Sequence, residues 1–386
     1  MTEKLYYSDA YLFEFFATVI SCEKQDDNYN IILDRTAFFP EEGGQCHDFG
    51  TIDGNEIIFV KKQGDDIIHS INSKIEVGKK VFCKVDAKIR FRNMQTHSGE
   101  HIVSGLICSK FNMKNVGFHL GREITTADYD GKLDRKSLDL IEDAANEIIF
   151  KNKVIKAWFP TKEELSKIEY RHKSNITEDI RIVEIPECDV CACCAPHVNR
   201  TGEIGLIKIV DFEAYKGGTR IYIKCGQDAL CDYREKSENI SDVSALLSVQ
   251  QNESSAAVER LYNEYKEIKR QLRIAREENL RLKLKSVEFS EDIQYFQHDT
   301  NDMNELRIIA DELSEKTNSF AVAVNENNGI CNFSIIAKTV PITELSCVLR
   351  KEISARCGGK DNIIQGNAPV SFEKFEEVIN NWYFAK

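Results

Sequence analysis

The sequence predicts an α+β protein with a small N-terminal β-barrel, an α/β domain, a helical coiled-coil segment and a C-terminal α+β domain. Short segments of strand-like polarity extend to about Lys84, and near Arg90 the apolar period changes toward that of a helix. From Glu235 the composition shifts to Glu, Lys, Arg, Leu and Gln. These changes divide the 386 residues into four predicted parts, 1–88, 89–234, 235–290 and 291–386.

The first part is typical of short β-strands separated by turn residues, as in a small barrel or sandwich. Its strand segments include YLFEFFATVIS, YNIILDRTAFF and DDIIHSI. The most glycine-rich break is PEEGGQ, at residues 40–45. Adjacent glycines permit a positive φ and a close approach of the backbone to a ligand. Taken alone, however, this break is better explained as a wide turn.

A helix is predicted over about residues 91–111, and it opens the second part. It carries an H-x-x-x-H pattern that puts His97 and His101 on one face. Gly99 and Gly105 would each destabilise a helix interior by about 1 kcal/mol relative to alanine, so both positions are expected to require a small residue. Gly105 is expected to leave open space beside the imidazoles. Mixed strands and helices follow, including a helix at Lys162–Tyr170.

Two distant motifs together provide one complete set of metal ligands. His97 and His101 come from the helix, and CCAPH supplies Cys193 and His197, again four residues apart. Zn²⁺ favours four nitrogen and sulfur ligands in a tetrahedron. The alternatives are histidines without a metal and a separate all-cysteine site. Because C-x₂-C-x-C-C is too tight to wrap one ion, the shared His₃Cys zinc site is favoured over a site made of Cys188, Cys191, Cys193 and Cys194.

The third part contains a heptad pattern, which is typical of a coiled coil in a helical hairpin or a dimer arm. Its single polar core position is Asn279. The seam consists of Val258, Leu261, Tyr265, Ile268, Leu272, Ala275, Asn279 and Leu282. The last part has its own helix and strand patterns and a second glycine-rich break, CGGKDNIIQGNAP.

Composition narrows the class of protein. No run approaches the roughly 20 apolar residues that span a bilayer, and the first residues lack a basic region typical of a signal peptide, so no membrane contact and a cytoplasmic location are expected. Thirteen cysteines, an odd number, fit reduced thiols. The net charge of −12 argues against extensive, non-specific coating of nucleic acid but leaves room for a local RNA contact.

Five motifs in order resemble the editing domain of alanyl-tRNA synthetase and its free-standing relatives, the AlaX alanyl-tRNA editing proteins. They are DRTAFFPEEGGQCHDFG, MQTHSGEHIVSG, VGFHLGREITTADYD, CCAPHVNRTGEIGLIKIV and GGTRIYIKCGQDAL. The tail CGGKDNIIQGNAP is similar to a segment of the synthetase's C-terminal domain, which indicates the long AlaX type. The resemblance covers nearly the whole chain, and the α/β domain is then an editing (deacylase) domain with a zinc site.

The resemblance implies an ATP-independent hydrolase that removes serine, and in some members glycine, from mischarged tRNA for alanine. It implies one Zn²⁺ per chain and contact with the acceptor stem and CCA end, with a homodimer through the coiled coil or the C-terminal domain as a further expectation. The implied metal ligands are His97, His101, Cys193 and His197. The family commonly has two glycines after the cysteine ligand, whereas here Cys194 and Ala195 follow Cys193, so Cys194 is the alternative cysteine.

The substrate pocket that the resemblance implies lies in the first part. Thr36 is expected to recognise the serine hydroxyl, and Gly43, Gly44 and Gln45 match the family's glycine-rich motif. Thr36 and Gln45 are therefore the expected catalytic and substrate-binding side chains. Serine differs from alanine by one hydroxyl, which a synthetic pocket rejects only about a hundredfold, so a second, hydrolytic site is needed.

Two other functions remain open. HSGEH also spells H-x-x-E-H, the signature of an inverted zinc peptidase with Glu100 as general base. A non-catalytic RNA-binding module that retained the fold is the second. Neither accounts for the C-x₃-H motif together with the ordered motifs of the first part.

Overall fold

The computed structural model describes residues 1–122, 124–171, 180–338 and 342–385. Its contacts group into two compact units, Met1–Asp242 and Val243–Lys386. The α+β class is confirmed, since both units combine helices and sheets. The division into four parts remains a prediction, because the contacts distinguish two units and do not test the boundaries within them. No helix in the described ranges combines the length and apolar character needed to cross a membrane.

The first unit begins with a closed barrel of six antiparallel strands, in the order β2-β3-β7-β6-β5-β8. Alternating apolar side chains, among them Val19, Leu33 and Val81, fill its interior. A short parallel pair, β1 with β4, accompanies the barrel. The bounds are β1 (Glu3–Lys4), β2 (Glu14–Gln25), β3 (Asn28–Leu33), β4 (Arg35–Thr36), β5 (Gly50–Ile52), β6 (Asn55–Gln63), β7 (Asp66–Ile71) and β8 (Lys80–Val85).

Helix α1 (Ala87–Phe111) leaves the barrel directly after β8. It begins a turn earlier than predicted because the Asp86 side chain accepts a hydrogen bond from the backbone N–H of Ile89, which caps the helix. In its first turn, the buried guanidinium of Arg90 forms an ion pair with the buried carboxylate of Asp48. This pair fixes the start of α1 against the loop that leaves the glycine-rich segment.

Both glycines of α1 lie where other elements approach the helix closely. A Cβ on Gly99 would lie 2.5 Å from the Sγ of Cys225. A Cβ on Gly105 would lie 2.6 Å from the carbonyl oxygen of Cys188 and 2.8 Å from the Cβ of Asp189. The requirement for small residues is therefore confirmed. The expected open space beside Gly105 is wrong, because the Cys188–Asp189 segment fills it.

The rest of the first unit packs two sheets and further helices around α1. One sheet has the order β14-β15-β10-β9 and the other the order β11-β12-β13, and their inner faces share one apolar core with α1 and α2. The bounds are β9 (Asn115–Leu120), β10 (Thr125–Tyr129), α2 (Arg135–Phe150), β11 (Lys156–Trp158), α3 (Lys162–Leu165), β12 (Ile182–Ile185), β13 (Asp189–Ala192), β14 (Ile207–Tyr215), β15 (Gly218–Cys225) and α4 (Gly226–Leu247).

Helix α3 is shorter than the predicted Lys162–Tyr170. Thr161 and Glu164 form a capping box that starts it, but it ends at Leu165. A few residues later, Arg171 pairs with β13 instead, donating its backbone N–H to the carbonyl oxygen of Val190 at 2.8 Å. Tertiary pairing therefore overrides the local helical preference.

The second unit contains a five-stranded sheet in the order β16-β17-β18-β20-β19. Side chains of the central strands, such as Phe320 and Phe333, form its core with the helices. The bounds are α5 (Ser254–Lys285), β16 (Gln294–Gln297), α6 (Met303–Ser314), β17 (Phe320–Asn327), β18 (Ile330–Ala337), α7 (Thr343–Ile353), β19 (Arg356–Lys360), β20 (Ile363–Ala368) and α8 (Phe372–Phe384).

Helix α5 carries the predicted heptad seam along its 32 residues. Leu280 and Leu284, which are outside the seam, are buried against α6. The seam itself is exposed in the single chain, with Leu261, Ile268 and Leu282 more than half accessible. The predicted helix is thus present. The coiled coil remains a prediction, because it needs a partner helix to cover the seam.

Candidate metal centre

Four buried or half-buried ligand groups converge on one point of the first unit. His97 and His101 lie one turn apart on α1, and Cys193 and His197 lie in the loop that follows β13. One ligand atom from each lies within 4.8 Å of the others. The sulfur of Cys193 is 3.5 Å from the Nε2 atom of His97 and 3.3 Å from that of His197. The structure therefore brings together all four side chains predicted as ligands.

These separations fit a tetrahedral metal site. With bond lengths of about 2.3 Å to sulfur and about 2.1 Å to nitrogen, an ideal tetrahedron places the two ligand atoms about 3.6 Å apart. The observed sulfur–nitrogen distances of 3.3 and 3.5 Å are close to that edge length. The residues present thus suit a metal ion with a preference for nitrogen and thiolate ligands.

Each histidine also has a partner for its second ring nitrogen, which leaves its Nε2 atom for the centre. Ligating histidines in metalloproteins are usually held in this way, since the partner fixes the tautomer and the orientation of the ring. The Nδ1 pairs are His97 with Gln45 Oε1 at 2.8 Å, His197 with Ser98 Oγ at 2.9 Å, and His101 with Asp189 Oδ2 at 3.0 Å.

The electrostatics of the cluster favour a thiolate at Cys193. Burial opposes ionisation, but the three histidines around the sulfur outweigh it and hold the pKa of Cys193 well below its usual range. For His101, burial lowers the pKa, whereas Cys193 and Asp189 raise it to about 9. Burial lowers the pKa of His197 to about 3. Cys193 as a thiolate and His197 as a neutral imidazole are thus in the forms that bind a metal, whereas His101 has to release a proton to bind one.

A second possible ligand group, His101 with Asp189 and Cys191, overlaps the first. Both carboxylate oxygens of Asp189 are already occupied by Arg171, whose Nε lies 2.6 Å from one and whose Nη2 lies 2.7 Å from the other. The pKa of the Cys191 thiol is also raised, mainly because the thiol is buried. A guanidinium on the carboxylate and a protonated thiol both disfavour a cation here.

The other cysteines of the tight motif have separate environments. Cys188 donates its S–H to the carbonyl oxygen of Ile102, 3.4 Å away. Burial raises the pKa of the Cys194 thiol, and the neighbouring Cys193 raises it further. Cys194 packs near Gly43, with its sulfur 3.5 Å from where a Cβ on that glycine would lie. Geometry therefore favours Cys193 as the ligand.

The glycine-rich loop reaches the cluster through Gln45. Gly43 and Gly44 both have positive φ, 63° and 80°. A Cβ on Gly44 would lie 2.4 Å from the carbonyl oxygen of Phe118, and the Gly44 carbonyl accepts a hydrogen bond from the backbone N–H of Leu120 at 2.7 Å. The glycines thus allow close contact with β9, and this contact places the fully buried Gln45 beside His97.

Thr36 lies in the barrel, and its side chain is fully buried. Its hydroxyl is 2.9 Å from the Nε2 atom of His69 and accepts a hydrogen bond from the backbone N–H of Phe38. The Nδ1 atom of His69 faces the carbonyl oxygen of Ile31 at 3.2 Å and must donate to it. Burial lowers the pKa of His69 to about 4, so Thr36 donates its proton to the neutral ring.

Glu100 is outside the ligand cluster. Its side chain is fully buried and accepts hydrogen bonds from Ser104 at 2.5 Å and from Asn115 at 2.6 Å. Ser104 in turn contacts the hydroxyl of Tyr129 at 2.9 Å. Glu100 therefore belongs to a polar network between α1, β9 and β10, which is not the position that a general base in an H-x-x-E-H peptidase needs.

Two family models and several curated proteins are similar to this chain. Residues 3–89 match the family described as tRNA synthetases class II (A). Residues 180–222, which include Asp189, Cys193 and His197, match the threonyl and alanyl tRNA synthetase second additional domain. The alanyl-tRNA editing protein AlaX-L of Pyrococcus horikoshii is 28% identical over 98% of this chain and 97% of its own length. The chain is thus similar over nearly its whole length to a protein named for alanyl-tRNA editing.

Two further similarities extend this relationship. The alanyl-tRNA editing protein Aarsd1 of Danio rerio is 29% identical over 93% of this chain and 92% of its own length. The alanine–tRNA ligase of Pyrococcus furiosus is 29% identical over 98% of this chain, which spans 43% of the ligase. The chain thus spans nearly all of these two editing proteins and under half of the ligase.

The sequence did not indicate three residues that support the histidines of the cluster. Asp189 contacts His101, Arg171 pairs with Asp189, and Ser98 contacts His197. Ser98 directly follows His97 in the chain, so its proximity to the site was available from the sequence. Asp189 lies between Cys188 and Cys191 in ECDVC, where the cysteines obscure it.

Proposed function

We propose that this chain hydrolyses the ester that joins a wrong amino acid, serine or glycine, to tRNA for alanine, without ATP and without the synthetase. The observation that carries the proposal is the convergence of three histidines and Cys193 beside the buried Gln45 of the glycine-rich loop. An aminoacyl ester is already activated, so the site mainly has to position the ester and a water molecule. Full-length similarity to proteins named for alanyl-tRNA editing supports this assignment.

The metal in this proposal is one Zn²⁺ per chain, held by His97, His101, Cys193 and His197. When bound, such an ion supplies Lewis acidity and a fixed positive charge. Four protein ligands complete a tetrahedron, which favours a positioning role over an open catalytic coordination site. Gln45 and the neighbouring loop then provide the polar groups that meet the substrate.

Gln45 is proposed as the donor for the ester carbonyl. Its Oε1 atom accepts from the Nδ1–H of His97, which fixes the orientation of the amide. Its Nε2 atom is buried and has no hydrogen-bond partner among the residues that the structure describes. A preorganised donor of this kind stabilises the negative charge that develops on an oxygen under attack, with typical effects of about 10²–10³ on the rate.

Thr36 is proposed to recognise the serine hydroxyl. Because its own proton is donated to His69, its oxygen retains one lone pair for a substrate O–H. Alanine has no hydroxyl to occupy that acceptor, which is the difference that a serine-specific site needs. Thr36→Val should therefore reduce discrimination between seryl and alanyl esters by about 1–3 kcal/mol, the cost of one unmade buried hydrogen bond. Unchanged relative rates on the two esters would remove Thr36 from this role.

The proposed partner is the acceptor stem and CCA end of tRNA for alanine. With a net charge of −12, the chain needs local basic groups for that contact. Short basic stretches such as YKGGTR and RLKLK supply candidates. The exposed seam of α5 is the proposed homodimer contact, with the C-terminal sheet as the alternative, and the proposed location is the cytoplasm.

A deacylation assay tests the function. Metal-loaded protein is mixed with tRNA for alanine charged with serine, glycine or alanine, and the loss of each ester is followed. We expect hydrolysis of the seryl ester well above that of the alanyl ester, and its loss in His197→Ala. His298→Ala is the control, since His298 lies in the second unit. Metal-loaded protein that left all three esters intact would instead indicate a non-catalytic RNA-binding module.

A further inference from the structure

The histidine cluster is supported unevenly, and the difference lies at His101. Gln45 and Ser98, the partners of the other two histidines, are uncharged. Among the residues that the structure describes, only His101 of the three has a carboxylate partner, Asp189, whose side chain is 2% exposed. A carboxylate holds the imidazole tautomer more firmly than an amide or a hydroxyl, and it raises the basicity of the ligating nitrogen. Asp189 is thus the strongest support in the cluster.

Arg171 keeps this carboxylate ionised and correctly oriented. Its guanidinium contacts both Asp189 oxygens, at 2.6 and 2.7 Å, in the bidentate geometry that gives strong and specific pairing. An isolated buried carboxylate would be costly, and the paired cation offsets that cost.

The backbone joins this support to the ligand loop. Arg171 donates its N–H to the carbonyl oxygen of Val190 at 2.8 Å and accepts from the N–H of Ala192 at 2.9 Å. Asp189 begins β13, and Cys193 follows directly after β13 ends. One short strand therefore begins with the carboxylate that contacts His101 and leads directly into the proposed ligand Cys193. Any shift of this strand would move both groups together.

We propose that Asp189, clamped by Arg171, is a positioning residue that fixes the tautomer of His101 and thereby sets the metal affinity of the site. Asp189 accepts the Nδ1–H proton, so that only the Nε2 lone pair of His101 faces Cys193. This inference rests on the metal centre of the proposed function but is independent of the substrate. It assigns to Asp189 a role in the protein's affinity for metal rather than direct contact with the ion.

The test measures the Zn²⁺ dissociation constant by competition with a chromophoric chelator, using the full-length chain. Removing the carboxylate in Asp189→Ala should weaken binding about 10- to 100-fold, the usual effect of losing such a partner. Asp189→Asn retains an oxygen that accepts from His101 but loses the charge, so we expect a loss of about tenfold. Cobalt-loaded protein should show altered visible absorption in Asp189→Ala, which reports the ligand geometry.

The matched control is Asp128→Ala. Asp128 also pairs with an arginine through both oxygens, Arg220 at 2.7 and 2.8 Å, but it contacts none of the clustered histidines. We expect the zinc affinity of the Asp128→Ala variant to stay within about threefold of that of the parent, since distant sites act independently. An equal loss in both alanine variants would reveal only general destabilisation and would overturn the proposal.

Two outcomes at Asp189 itself decide the matter. Wild-type affinity and an unchanged cobalt spectrum in Asp189→Ala would overturn the proposal. If that variant does not fold, Asp189→Asn, which preserves the side-chain shape, decides by the same measurement, and unchanged zinc affinity would again overturn it. The variants could bind zinc in the predicted order of affinity while the parent protein deacylates none of the esters. That result would refute the proposed function and leave this inference intact.

Discussion

At the scale of single residues, the adjacent thiols Cys193 and Cys194 differ sharply in electrostatic environment. The three histidines lower the pKa of Cys193, whereas burial and the neighbouring sulfur raise that of Cys194. Because the thiolate is the form that binds a metal, Cys193→Ala should lose zinc, and Cys194→Ala should retain about one zinc per chain. Metal analysis of the two purified variants checks this. The reverse result would move the ligand by one position.

Glu100 separates the editing function from the peptidase alternative. As a general base it would contribute about 10²–10⁴ to the rate, but its buried carboxylate serves Ser104 and Asn115 instead. We therefore expect Glu100→Gln to retain zinc and to deacylate seryl-tRNA within about tenfold of the parent, a loss below about 1.4 kcal/mol. Loss of deacylation with zinc retained would show that Glu100 is catalytic.

The sequence predicted four side chains that the structure brings together, but not the residues that support them. Residue spacing in H-x₃-H and C-x₃-H points to His97, His101, Cys193 and His197 as candidate ligands, because spacing on one segment is a local property. The contact between Asp189 and His101 joins positions 88 apart, and no local pattern encodes it. Similarly, the tautomer of His69, which directs the proton of Thr36, depends on the carbonyl oxygen of Ile31 across the barrel.

At the scale of elements, Gly105 sets the distance between α1 and β13. A Cβ there would lie 2.8 Å from the Cβ of Asp189. Gly105→Ala should therefore push β13 away from the helix, destabilise the protein by about 1–3 kcal/mol through overpacking, and weaken zinc binding. Thermal unfolding and chelator competition measure the two effects. Ser109→Ala, at an exposed position of the same helix, is the control, and equal behaviour of the two variants would contradict the prediction.

The helices illustrate where a sequence pattern suffices. The local sequence pattern predicts the body of α1, but it missed the first turn, which depends on the cap at Asp86. Helix α3 ends at Leu165, before the predicted Tyr170, because Arg171 pairs with a strand that begins about twenty residues later. The heptad of α5 predicts the helix correctly but does not identify what covers its seam, since that depends on a second helix.

At the scale of the whole molecule, the proposed chemistry lies entirely in the first unit, Met1–Asp242. A chain truncated after Asp242 should keep its zinc, whereas its affinity for tRNA should fall or its oligomeric state should change. The reason is that the exposed apolar seam of α5 and the C-terminal sheet are removed. Metal analysis, sedimentation and tRNA binding measure these properties. A truncated chain that matched the full chain in tRNA affinity and oligomeric state would contradict the prediction.

The ligand set also has a consequence for the unfolded chain. An ion bound to His97 and Cys193 would tie together positions 96 apart. For a covalent cross-link, closing a loop of about 100 residues removes conformational entropy worth about 4.7 kcal/mol from the denatured state. A metal tie that persists only in the native fold gives no such restriction, so its whole binding free energy favours the folded chain. Zinc supply would then govern how much of the newly made protein survives proteolysis, before any tRNA is met.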